Sequence, residues 1–275
     1  MKIHLIAAAS LVVAGIIAGC GSSSTMSPSG SGTTAIAGKV ADGYLENATV
    51  FLDKNGNYLL DAGEPFAVTD ANGAYTLSVD AADVGQYPIV ALAIAGVTYD
   101  RTDVSATTPI TFSYLMSLPK DGVSGTVSSN FISPFSTEIR EMMETGNYAD
   151  MRAAMDALRA SLGLPEGTNM MGDYVAGQNS VMHTAAQNMA TLMGGEMLNL
   201  YGTSGAIDVN RYRGMMGTMF GNMSTMKLSA QPQTMNEMMV TMDTTLGSIT
   251  TAEPFRNMSS YFRGGMTGGG RGSMM

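Results

Sequence analysis

The sequence predicts an α+β chain in separate domains, an N-terminal antiparallel β-sandwich followed by a C-terminal α-helical bundle. Three observations predict it. Short segments of alternating apolar residues, separated by Asp, Asn and Gly, fill residues 35–120, the pattern of strands joined by tight turns. From 130 to 262 the apolar residues recur at three- and four-residue steps instead, the period of amphipathic helices. Between the two stretches, Pro119-Lys120-Asp121-Gly122 punctuates the change.

Ahead of the first strand the chain carries an address. A short basic start, Met1-Lys2-Ile3-His4, precedes an apolar run from Leu5 to Ala18 that is too short to span a bilayer comfortably and suits the core of a signal peptide. The run ends in Ile17-Ala18-Gly19-Cys20, which closely resembles the bacterial lipobox. The resemblance implies cleavage after residue 19, a lipidated Cys20 carrying fatty acyl chains such as palmitate, and retention in a membrane. Each buried methylene of such an anchor contributes about 0.8 kcal/mol. Gly21 stands where an inner-membrane retention signal would place Asp, so the resemblance points to the outer membrane. Residues 20–34 are Ser, Gly and Thr with one Pro, a flexible tether. Cys20 is the single cysteine, which rules out an intramolecular disulfide.

The strands follow in order. Ala35–Val40 alternates small and apolar residues, Asp42-Gly43 marks a turn, and Ala48–Leu52 forms a second strand with Val50 and Leu52 on one face. An acidic loop comes next, and its oxygen-bearing side chains sit at the spacing of a calcium loop. Counting Asp53 as the first position, Asn55 is third, Asn57 fifth, Asp61 ninth and Glu64 twelfth. A hard cation needs several oxygens from one short segment, and alternate residues of a curled loop supply them. Three carboxylates in so short a stretch also repel one another unless something neutralises them. The alternative is a metal-free Asp/Asn/Gly hairpin loop. An EF-hand is ruled out: its sixth position requires Gly and here is Tyr58, and no helices flank the loop. Phe66–Thr69, the Asp70-Ala71-Asn72-Gly73 turn and Ala74–Val79 continue the sheet; Pro88–Ala95, Val97–Asp100 and Ile110–Leu118 complete it.

Residues 36–77, GKVADGYLENATVFLDKNGNYLLDAGEPFAVTDANGAYTL in their body, resemble the Cna-B/SdrD-B and carboxypeptidase-regulatory-like modules of secreted proteins. Those modules are prealbumin-like sandwiches sharing a D-x-N-x-N-x-x-x-D-x-G-E loop followed by T-D-x-N-G-x-Y. The resemblance implies structural calcium at Asp53, Asn55, Asn57, Asp61 and Glu64, with Asp70 and Asn72 of the following turn as further ligands.

In the helical half, Phe131–Ile139 reads as a strand end turning into a helix, with Pro134 in the first turn and Gly146 after the end. A second helix has Asn147 as its N-cap, Asp150 three places on and Gly163 as C-cap before Pro165; Met151, Met155, Leu158 and Leu162 share one face. A third covers about Val175–Tyr201, and shorter ones cover Val209–Met226, Thr234–Leu246 and Ala252–Phe262. Residues 263–275 are Gly-rich and expected to be disordered. Of 26 methionines, 23 lie from residue 131 onward, more than Leu, Ile and Val combined there. As unbranched, polarisable side chains they suit an adaptable core. The alternative is soft-metal binding, since thioethers select Cu(I), and Met215, Met219, Met223 and Met226 form a helical row.

Function is narrowed mostly by exclusion. A net charge of −9 argues against nucleic acid. H-E-x-x-H, G-x-S-x-G, P-loop and C-x-x-C motifs are absent from the sequence. The one histidine beyond the leader, His183, cannot build a triad alone, and Glu138, Glu141 and Glu144 with Arg140 read as a solvated helix face. The expectation is a non-enzymatic, lipid-anchored envelope protein of structural or adhesive type. It would be calcium-stabilised, periplasmic or surface-facing, and would meet an envelope protein, a surface protein or a glycan. A periplasmic copper-binding protein is the alternative.

Overall fold

Each strand forms where alternation gives the chain one apolar face to bury. The computed structural model describes residues 32–249 apart from 103–104, 126–129, 201–205 and 229–231. The leader, Cys20 and the tether to residue 31, the helix expected at Ala252–Phe262 and the Gly-rich tail all lie outside the described residues. The strands are β1 (Thr33–Val40), β2 (Leu45–Glu46), β3 (Thr49–Leu52), β4 (Phe66–Val68), β5 (Ala74–Asp80), β6 (Ile89–Ala93), β7 (Tyr99–Asp100), β8 (Tyr114–Leu118) and β9 (Asn130–Ile132). The helices are α1 (Pro134–Glu144), α2 (Met151–Leu162), α3 (Ser180–Glu196), α4 (Val209–Gly221), α5 (Met223–Met226) and α6 (Pro232–Ser248).

Two sheets carry the β layer, ordered β5-β1-β9 and β4-β3-β6-β8, with β2 and β7 as a separate pair. Strand β5 buries Tyr75, Leu77 and Val79 and exposes the residues between them, so only one of its faces is covered. Strand β8 is buried at every position, which requires cover on both faces; α1 and α3 pack against it. One pairing departs from the antiparallel expectation: β1 runs parallel to β9. Gly38 makes room for it, because a Cβ there would stand 1.9 Å from the Asn130 carbonyl oxygen.

That pairing also corrects the separate-domain expectation. The chain crosses its change of period and returns to the first sheet before any helix begins, so the β layer is incomplete without β9. Buried residues from Ile36 to Ile249 form one hydrophobic core shared by strands and helices, and the described residues fall within one compact unit. The class is α+β with the helices laid on the sheets.

The helix ends follow local chemistry. Ser133 caps α1 in a reciprocal capping box with Ser136, Pro134 takes the first position, and Gly146 follows at φ +71°. For α2 the cap is Asp150, whose carboxylate accepts from the Ala153 amide at 2.8 Å. Asn147, expected in that role, instead donates to the Thr145 hydroxyl. Gly163 closes α2 in the left-handed region. Helix α3 starts later than expected because Asn179 caps it, with Gln178 at φ +52° before it. The expected 209–226 helix breaks at Asn222 into α4 and α5.

Candidate functional site: an acidic loop and the buried charges behind it

The acidic loop joins β3 to β4, closed at its base by the Leu52 amide donating to the Pro65 carbonyl at 3.0 Å. Its curl comes from side-chain oxygens holding nearby amides. Asn55 Oδ1 accepts from the Asn57 amide and Asn57 Oδ1 from the Leu59 amide. Gly56, Tyr58 and Gly63 all take positive φ. Tyr58, the residue at odds with an EF-hand, adopts the left-handed conformation at φ +63° that its position demands.

The five expected ligands divide into two sets. Asn55 and Asn57 each donate an amide hydrogen to Asp61 Oδ2 at 2.7 Å, so these three converge at the exposed loop mouth. Glu64 braces the ends, accepting from the Lys54 amide at 2.7 Å and the Asp61 amide at 3.0 Å. Asp53 faces the other way. It is 0% exposed, and its oxygens accept from the amides of Gly56, Asn57 and Tyr58 and from Arg140 at 3.3 Å. A guanidinium so close makes this carboxylate a poor ligand for a cation. The mouth retains the hard-oxygen chemistry that calcium requires, supplied by Asn55, Asn57, Asp61 and Glu64 once the two amides present oxygen rather than nitrogen. Asp70 accepts from the amides of Asn72 and Ala74 and so holds its own turn together.

Behind the loop, α1 overturns the expectation of a solvated charged face. Glu138, Arg140 and Glu141 are buried, at 0%, 2% and 0% exposure. Their partners come from distant segments. Arg140 reaches Asp53 and Glu144 and lies 4.2 Å above the Tyr58 ring. Glu141 accepts from the Tyr58 hydroxyl at 2.5 Å and pairs with Arg213 Nε at 2.9 Å; Arg213 also pairs with Glu144. Burial works against the Arg140 charge, yet Tyr58, Glu141 and Glu144 outweigh it and raise its pKa. Burial pushes Glu141 up, opposed chiefly by Arg213. Glu138 has no hydrogen bond at either oxygen; burial first, and Glu141 second, push its pKa well above the usual carboxylate range. Both effects favour its neutral form over the carboxylate. Spacing along one helix cannot distinguish this cluster from a surface row, since its partners Asp53, Tyr58 and Arg213 lie far off in sequence.

Met215, Met219, Met223 and Met226 are all buried in the hydrophobic core, where packing accounts for their spacing. His183 is half-buried on α3, its Nε2 3.4 Å from the Thr102 hydroxyl. Comparison with family models, with curated proteins and with solved structures finds no match for the chain. The similarity of residues 36–77 to secreted sandwich modules therefore rests on its own motif residues.

Proposed function

We propose that the chain is a lipid-anchored protein of the bacterial cell envelope, of structural or binding type rather than an enzyme. Cys20 would be the lipidated residue, and the loop mouth would be a calcium site that stiffens the β layer. The observation that carries this reading is the apolar run Leu5–Ala18 closing on Gly19-Cys20. Two structural features support it. Strand β1 begins at Thr33, taking in the last two residues of the expected 20–34 tether. The charges of Arg140 and Glu141 on α1 are paired with Asp53 of the loop, with Glu144, and with Arg213 of α4, as groups holding a scaffold together are. Calcium would be held by Asn55, Asn57, Asp61 and Glu64, with Asp53 organising the backbone behind them and Arg140 neutralising it. Outside the cytosol such a site operates at a Kd of about 10⁻⁴ to 10⁻³ M.

The test is metabolic labelling with palmitate in a Gram-negative host, followed by membrane fractionation. The native chain is expected to take up label and to sediment with the outer membrane after an alkaline wash. Cys20→Ser is expected to lose the label and the membrane association together. Membrane retention of an unlabelled Cys20→Ser chain contradicts the anchoring.

A further inference from the structure

A cavity of about 360 Å³ lies between the β layer and α3, apart from the acidic loop. Its lining includes Asp42, Asp100, Thr111, Phe112, Tyr114 and Gln187, and among the described residues no Lys, Arg or His lines it. Asp42 is 5% exposed. Its Oδ2 accepts from the Tyr114 hydroxyl at 2.7 Å, while its Oδ1 has no hydrogen-bond partner. Asp100 brings the second carboxylate, its Oδ1 fixed by the Thr102 amide at 2.8 Å. Packing forces the approach: a Cβ on Gly43 would stand 1.7 Å from the Thr102 hydroxyl and 2.4 Å from Asp100 Oδ1. Gly43 is the residue that admits Asp100 beside Asp42.

We propose that this cavity binds a small organic ammonium ion, with Asp42 and Asp100 as its counter-charges and the rings of Phe112 and Tyr114 against its apolar part. A buried Asp42 beside the half-buried Asp100, with no cation between them, is costly, and an ammonium group relieves both. It would offer a donor to the unpartnered Oδ1 and meet the aromatic faces favourably. The size points to a molecule rather than a bare metal, because cavities for small ligands start at about 300 Å³. Two carboxylates also fall short of the six to eight oxygens calcium takes, and no three His, Cys, Asp or Glu side chains gather as a metal site among the described residues.

Protonation gives the site a signature. Burial, and then Asp100, raise Asp42 to about 7, with the Tyr114 hydroxyl opposing them. Among the described residues the other titratable groups near it are Tyr174, which donates to the Ala41 carbonyl at 2.8 Å, and His183, whose ring centroid is 6.1 Å from that of Tyr174. A bound cation favours the charged form of Asp42, so affinity should rise as pH increases through about 7 and fall below it.

The experiment is isothermal titration of the full chain in detergent with benzylammonium, with benzyl alcohol as the neutral isostere, and with calcium. The expected result is one saturable benzylammonium site, with benzyl alcohol about tenfold weaker or worse. Asp42→Asn and Asp100→Asn, each checked for native circular dichroism, should both weaken the amine by about tenfold. Equal binding of the alcohol, unchanged affinity in both variants, or no benzylammonium heat at all would overturn the proposal. Calcium heat that both variants abolish, without amine binding, would reassign the site to a metal. None of these outcomes depends on the lipid anchor.

Discussion

Glu138 is where a single residue departs furthest from what its surroundings ask of it. Both of its oxygens are buried without a partner, and burial then Glu141 raise its pKa. The sign of the consequence follows from proton counting. A carboxyl whose pKa is raised by folding holds its proton to higher pH than the unfolded chain, which releases it above about pH 4.3, so the residue costs more stability as pH rises from there. Glu138→Met removes the burden at similar volume. It is expected to stabilise the protein by about 1–3 kcal/mol at pH 8 and by less at pH 5, measured by urea unfolding at both pH values. A gain that is the same at both pH values would mean that Glu138 is ionised when folded. None of this could be read from the sequence, where Glu138, Glu141 and Glu144 look like an ordinary charged face. Tyr58 is half legible: it stands where a calcium loop of the EF-hand kind requires Gly, but its burial against Arg140 and Glu141 comes from tertiary packing.

At the scale of elements, the acidic loop and α1 act as one joint. Three amides and Arg140 hold Asp53 inward, leaving Asn55, Asn57 and Asp61 outward. Substitutions on the two sides should therefore behave differently. Arg140→Ala strands the buried Asp53 carboxylate and is expected to cost about 3–5 kcal/mol, with or without calcium, in thermal or urea unfolding. Asp61→Ala should leave stability in chelator within about 0.5 kcal/mol, as exposed sites do, and should abolish any calcium-dependent rise in Tm. A calcium-dependent rise that survives Asp61→Ala would place the ion elsewhere. Much at this scale was legible in advance. Strands β1, β3, β4, β5, β6 and β8, the Pro134 start of α1 and the Gly163 stop of α2 follow from alternation, Pro and Gly, because those signals are local. The cap of α2 moved from Asn147 to Asp150, and 209–226 broke at Asn222, because several polar residues there were equally able to cap or interrupt.

For the molecule as a whole, the change of hydrophobic period was real but did not mark a division into bodies. Strand β9 returns to pair with β1, α1 covers β8, and the methionines of α3 to α6 fill the core shared with the sheets. A parallel pairing between residues some ninety positions apart leaves no periodic trace in the chain, which is why sheet and bundle read as separate. No helix among the described residues is long and apolar enough to cross a membrane, so membrane attachment in this account falls to Cys20. The most direct measurement is the intact mass of the protein purified from the membranes of a Gram-negative host. The account predicts a mature chain beginning at Cys20, heavier than its amino-acid sequence by a diacylglyceryl group and an N-linked acyl chain. A mass matching the full chain from Met1, or an unmodified cysteine at the mature N-terminus, would contradict it.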